Sequence, residues 1–254
     1  MTGDGGLSAT PSWSASGGQN NAYFGLSASS AGDVNGDQID DLIVGAPNAS
    51  TDLAGEGKAH IFFGHSGGLL QTASWTVEGD QLDAHFGESV SGVGNLNGDG
   101  QMDVVVGAPD YDDGSTADAG AAFVYFGVSG SGPTAQPGWS ERGSQAGMNF
   151  GISVTGAGDV DNDMLADLLI GANRYSNREE HEGRVLLHFG SAGGIDPNRS
   201  WAMEGGQAFA NLGYAISKVF VIQPGSAGAI LFAAPQMDNN EADEGLVFFY
   251  SGLH

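Results

Sequence analysis

Four tryptophans, Trp13, Trp75, Trp139 and Trp201, stand 62, 64 and 62 residues apart. A marker at a nearly fixed period demands a repeated structural unit, which constrains the fold more tightly than composition can. A glutamine follows each tryptophan by six residues, at Gln19, Gln81, Gln145 and Gln207. An aromatic-glycine pair comes next: Phe24-Gly25, Phe86-Gly87 and Phe150-Gly151, weakened to Leu212-Gly213 in the last copy. "GAP" starts at Gly45 and Gly107, "GAN" at Gly171 and "AAP" at Ala233, and the copies close on "GKAHIFFG", "GAAFVYFG", "GRVLLHFG" and "GLVFFYSG".

Each copy holds four short strand-like stretches and no helical periodicity. With 44 glycines against 8 prolines, the chain reads as many short strands joined by tight turns, an all-β protein. Radial repetition of four-stranded sheets is a β-propeller. The sequence therefore predicts one propeller domain over residues 1–254, with four four-stranded blades at about 22–78, 84–142, 148–204 and 210–254. The last copy lacks a tryptophan strand, and "DGGLSATPSW" at 4–13 aligns with "SGGLLQTASW" at 66–75. Residues 10–16 are thus expected to complete the last blade, within one chain or by strand exchange in a homodimer.

The chemistry lies in the first hairpin of copies one to three: "DVNGDQIDD" (33–41), "NLNGDGQMD" (95–103) and "DVDNDMLAD" (159–167). Side-chain oxygens at positions 1, 3 and 5 can converge on one hard cation, as at the start of an EF-hand loop. The expected ligands are Asp33, Asn35, Asp37 and Asp41 in loop one, Asn95, Asn97, Asp99 and Asp103 in loop two, and Asp159, Asp161, Asp163 and Asp167 in loop three. Backbone carbonyls of Ile39, Gln101 and Leu165 are expected at position 7. Position 12 carries Val44, Val106 and Ile170 in place of the EF-hand glutamate, so these are strand hairpins instead. All-oxygen, largely anionic ligands suit calcium. Asp, Asn and Gly also make plain turns, but three such loops in register favour three calcium sites. Copy four places Val221, Gln223, Gly225 and Ala229 at positions 1, 3, 5 and 9, and no site is expected there.

The formal charge of −24 excludes nucleic acid and anionic membranes as natural partners. Without cysteine there is no thiol nucleophile or zinc thiolate. No run is apolar enough to insert in a membrane, and no signal peptide is visible in this chain. "GHSGG" at 64–68 matches a hydrolase nucleophile elbow, yet the equivalent turns read "GVSGS" and "GSAGG", so Ser66 belongs to a repeated β-turn. An enzyme is not expected. The glutamines read as turn residues that satisfy backbone. Tyr111, Arg174, Tyr175 and Arg178, in the loops after the "GAP" positions, are of the kind that anchor interfaces.

Phe-Gly, the acidic hairpin and then Gly-Ala-Pro is the motif of FG-GAP repeats, and the chain resembles the propeller of integrin α subunits. That resemblance implies calcium on one face and a protein or carbohydrate ligand on the opposite face. It further implies an extracellular or cell-surface adhesion module. Integrin propellers have seven repeats, and related repeats occur as accessory domains of secreted enzymes, so an accessory domain and an oligomerising propeller fragment are alternatives.

Overall fold

Apolar runs such as "VVVGA" and "LLIGA" can only be strands buried on both faces, and that is how they fold. The computed structural model describes residues 10–219 and 228–251. Among these, every regular element is a β-strand. Sheet one contains β1 (Ala28–Gly32), β2 (Asp41–Ala46) and β3 (Lys58–Phe62); after a small hairpin of β4 (Gly64–His65) and β5 (Gly68–Leu69), β6 (Trp75–Glu78) completes it. Sheet two is β7 (Ser89–Gly94), β8 (Asp103–Ala108), β9 (Ala121–Tyr125) and β10 (Trp139–Arg142). Sheet three is β11 (Phe150–Gly158), β12 (Asp167–Ala172), β13 (Arg184–Ser191) and β14 (Gly194–Glu204). Sheet four has β15 (Ala215–Val219), β16 (Ala229–Ala234) and β17 (Leu246–Ser251) among the described residues. The named strands pair antiparallel, each with its neighbour in the chain except where β3 meets β6 across the small hairpin, and single parallel bridges such as Gly57 to Phe86 link one sheet to the next.

Consecutive sheets stack face to face. Ile43 and Ile61 of sheet one share a core with Val104 and Val106 of sheet two. Val105 and Val124 meet Leu168 and Ile170 of sheet three, and Leu169 and Leu187 meet Ile230 and Phe232 of sheet four. The second strands are sandwiched between neighbours, with β8 and β12 buried along their whole length. First strands lie side by side, β1 by β7, β7 by β11 and β11 by β15. This radial order is consistent with an integrin-like β-propeller.

The recurring sequence markers lie at the junctions between sheets. Ser27, Ser89 and Ser153 donate their hydroxyls to the carbonyls of Gly87, Gly151 and Gly213 in the next sheet, at 2.8, 2.8 and 2.7 Å. Those carbonyls lie so close to the α-carbons of Gly45, Gly107 and Gly171 that a β-carbon there would overlap them. The Gly of "GAP" is therefore a packing requirement. Each tryptophan also reaches forward to the following sheet: Trp75 onto Tyr125 (5.2 Å between ring centres), Trp139 onto His188 (5.3 Å) and Trp201 onto Tyr250 (5.5 Å).

Among the described residues, 11–16 carry no strand, and sheet four has the three strands β15 to β17. Instead, Trp13 lies edge-on to Phe62 of sheet one at 5.2 Å and donates its indole N–H to the Leu70 carbonyl at 3.0 Å.

Candidate functional site

The three acidic hairpins connect β1 to β2, β7 to β8 and β11 to β12, so they gather at one end of the sheets. Their short polar side chains fold each loop by accepting its own amides. At position 1, Asp33 accepts from Gly36 (2.7 Å), Asp37 (3.0 Å) and Gln38 (2.7 Å). Asn95 accepts from Gly98 (2.9 Å), and Asp159 from Asp163 and Met164 (both 3.0 Å). At position 3, Asn35, Asn97 and Asp161 accept the amide two residues on, at 2.9, 3.0 and 3.2 Å. At position 5, Asp37, Asp99 and Asp163 accept the amides of Ile39, Gln101 and Leu165, at 2.9, 2.8 and 2.8 Å.

Position 9 does something the sequence pattern did not reveal. Asp41, Asp103 and Asp167 are buried, and each ties its hairpin to the far end of the third strand. Asp41 accepts from Val34 (3.0 Å) and Gly64 (2.8 Å), Asp103 from Leu96 (2.8 Å) and Gly127 (2.9 Å), and Asp167 from Val160 (2.7 Å) and Gly190 (3.0 Å). Burial pushes the carboxyls of Asp103 and Asp167 up to about 7 and raises that of Asp41. Backbone amides oppose this shift, two at Asp41 and at Asp167 and three at Asp103, and the neighbouring loop carboxylates reinforce it.

Loop three meets the distance test for one cation. Carboxylate oxygens of Asp159, Asp161 and Asp167 lie within 4.8 Å of one another. Two oxygens bound to one calcium at 2.3–2.6 Å can be about 5 Å apart, so all three can reach a single ion. Asp163 stands outside that group, and among the described residues no other three acids or histidines gather this way. Loop two has only two carboxylates, with Asn97 donating to Asp99 at 2.9 Å. In loop one Asn35 donates to Asp37 at 3.3 Å. Arg199 of β14 already places a guanidinium nitrogen 2.7 Å from Asp161, its plane covering Phe189. Nothing in the hairpin pattern announced this counter-charge, because it comes from a different strand.

At the opposite end the glutamines act as clasps, as expected of turn residues. Gln19, Gln81 and Gln145 each both donate to and accept from the backbone of the residue 31 positions on, Ser50, Asp112 and Ser176, at 2.7–3.1 Å. Gln207 accepts the Asp238 amide at 2.9 Å. Tyr111 and Tyr175 are not exposed anchors: both are buried, beneath Arg142 and Arg184 respectively. Arg174 and Arg178 do stay exposed.

The exposed apolar groups at this end come from another position. Residues just before the Phe-Gly pair, Tyr23, His85 and Asn149, have positive φ values of 54°, 52° and 55°. They line a cleft of about 370 Å³ together with Leu26, Glu88, Asp110 and Ile152. Tyr23 is 60% and Leu26 56% exposed. His85 and Asn149 are held by Asp110, at 2.6 and 3.2 Å. Aligning the copies on Phe-Gly and reading the preceding residue would have found them.

The FG-GAP repeat family model matches residues 24–62 and 86–125, which run from the Phe-Gly pair to the third strand of sheets one and two. Integrin alpha-5 of Xenopus laevis is 32% identical over 192 residues, covering 72% of this chain and 18% of the relative. Integrin alpha-IIb of Mus musculus is 36% identical over 164 residues (59% and 15%), and integrin alpha-6 of Gallus gallus 30% over 199 (78% and 17%). The chain thus spans less than a fifth of the length of these relatives. No helix of the described residues is long and apolar enough to cross a membrane. Repeated Phe-Gly pairs, acidic hairpins and "GAP" junctions together with these matches make the chain an FG-GAP repeat protein that resembles the integrin α propeller.

Proposed function

We propose that residues 1–254 act as one integrin-like propeller module, stabilised by calcium, that binds a protein or carbohydrate ligand outside the cell in adhesion or ligand capture. The observation that carries this reading is the convergence of Asp159, Asp161 and Asp167. Loops one and two repeat its backbone hydrogen bonding at positions 3 and 5. Calcium in each loop would be held by side chains at positions 1, 3, 5 and 9, with the carbonyls of Ile39, Gln101 and Leu165. Bound there, it supplies positive charge to buried carboxylates and locks each hairpin to its sheet.

The ligand face in this reading is the opposite end, centred on the Tyr23 and Leu26 cleft. Large side chains left in water beside a fixed His85–Asp110 pair are suited to burial against a partner. The test uses a matrix-protein array and a glycan array, probed in calcium and again after chelation. Binding that is lost in the double variant Tyr23→Ala with Leu26→Ala, while its melting temperature is kept, supports the reading. Binding that the variant retains in full would move the ligand elsewhere.

A further inference from the structure

We propose that the seam between sheets two and three is acid-sensitive, held closed near neutral pH by His188 and Glu141, and that in acid it opens before the seams on either side. At each seam the tryptophan of one outer strand lies against a ring of the next sheet, and the residue two places after that tryptophan meets the same ring. Between sheets one and two these are Tyr125 and Val77, in one apolar core. Between sheets three and four they are Tyr250 and Met203, the phenol donating to the thioether sulfur at 3.4 Å. Between sheets two and three they are an imidazole and a carboxylate. His188 lies under Trp139, its Nε2 3.3 Å from a Glu141 oxygen. The register makes the positions equivalent, since His188 faces Leu168 as Tyr125 faces Val104 and Tyr250 faces Ile230.

The pair is buried but incompletely bonded. His188 is 7% exposed, and its contact with Glu141 misses hydrogen-bond geometry, which leaves Nε2 buried without a bond. Arg184 Nε is buried and unbonded in the same seam, while its guanidinium covers Tyr175. Two orphaned polar atoms in one interface make this seam less well satisfied than an apolar one. The charged groups that face the imidazole are Glu141 from β10 and Arg184 from its own strand. Glu204 stands across from Arg184 on β14 and accepts a bond from Asn177 at 3.0 Å. The cross-strand neighbours of His188, Leu168 and Ser200, are uncharged.

Burial, and after it the Arg184 guanidinium, lower His188 from 6.5 to about 4. The closed seam therefore refuses a proton that an open, hydrated seam accepts. Its stability is whole above 6.5 and is lost as pH falls toward 4. Burial raises the Glu141 carboxyl, which works against this loss, and Arg184 restrains that rise. The neighbouring seams hold a phenol in place of the imidazole and an apolar side chain in place of the carboxylate, so they have no such proton to refuse.

Because the chain has no cysteine, thiol labelling can report each seam separately. Ala122 and Ala59 hold equivalent, fully buried positions, Ala122 in the core shared by sheets two and three and Ala59 in that shared by sheets one and two. Labelling rates of Ala122→Cys and Ala59→Cys proteins are measured at about pH 7 and about pH 5, and their ratio cancels the intrinsic chemistry of the thiol. The ratio of Ala122→Cys to Ala59→Cys should rise by about tenfold in acid. Adding His188→Tyr with Glu141→Val, which rebuilds the seam between sheets one and two, should hold the ratio constant. His188→Gln alone, which keeps the site neutral, should do the same if the double variant does not fold. A ratio that stays flat with His188 and Glu141 in place, or one that rises equally in a folded His188 variant, would overturn the proposal.

Discussion

The sheet junctions and the acidic hairpins repeat three times each, but they tolerate change differently. At the junctions the same atoms recur: a serine hydroxyl on a glycine carbonyl at 2.7–2.8 Å, over a glycine with no room for a methyl. In the hairpins the backbone pattern is kept while side-chain charge drifts, from two carboxylates in loop two to four in loop three. Main-chain contacts leave no substitute for glycine. A turn that also holds a cation can exchange Asp for Asn and still fold, changing only how strongly it holds the ion.

The hardest way to break this contrast is Gly107→Ala, which drives a methyl into the Gly151 carbonyl. It should cost more than about 3 kcal/mol in urea unfolding, with or without calcium. Ala233→Gly, at the same position of sheet four, where no neighbouring carbonyl packs among the described residues, should cost under about 1 kcal/mol, the ordinary penalty of glycine in a strand. Equal effects at the two positions would mean that the junction does not set the glycine requirement.

Calcium removal comes next. With affinities near 0.1 mM and calcium near 1 mM, each occupied loop should add about 1.4 kcal/mol, so full chelation should cost about 4 kcal/mol. An unchanged melting temperature after chelation would leave the hairpins as plain turns. Within that total, loop two should release its ion first, which calorimetric titration of Asp99→Asn against Asp163→Asn can rank. Removing the competing guanidinium by Arg199→Ala should tighten loop three, since Arg199 and an ion draw on the same Asp161 oxygens.

Acidity offers a gentler probe. In the folded protein Asp103 and Asp167 hold their protons up to about 7, well above the unfolded value near 3.8. Between those pH values the native state binds more protons, so calcium-free protein should gain stability as pH falls from about 8 toward 5. Bound calcium favours the ionised form and should flatten or reverse that slope. Comparing melts with and without calcium at each pH cancels groups remote from the loops, such as His188, whose charged form burial disfavours. A single clasp is tested by Gln81→Ala, which gives up two backbone hydrogen bonds to Asp112 and should cost about 1–2 kcal/mol in urea unfolding.

The repeat, the all-β class and the hairpins are legible because each depends on neighbours along the chain, and the glutamines because they recur at the same period. The failures were contacts between elements. Tyr111 and Tyr175 stand in polar loops yet turn inward, where Arg142 of β10 and Arg184 of β13 cover their rings. Arg199 reaches loop three from β14, and Tyr23 and His85 meet across two sheets. Loop four could not be compared at Val221, Gln223 and Gly225, which lie outside the described residues.

The glutamine clasp has a consequence for how such a chain can grow. Each clasp joins the turn after one outer strand to the loop after the next sheet's "GAP" position, 31 residues away and half a period on. A tandem duplication of any 62–64-residue stretch therefore copies one whole junction along with one whole sheet, wherever its endpoints fall. The gene can lengthen or shorten by complete units, and no interface has to be invented at the seam.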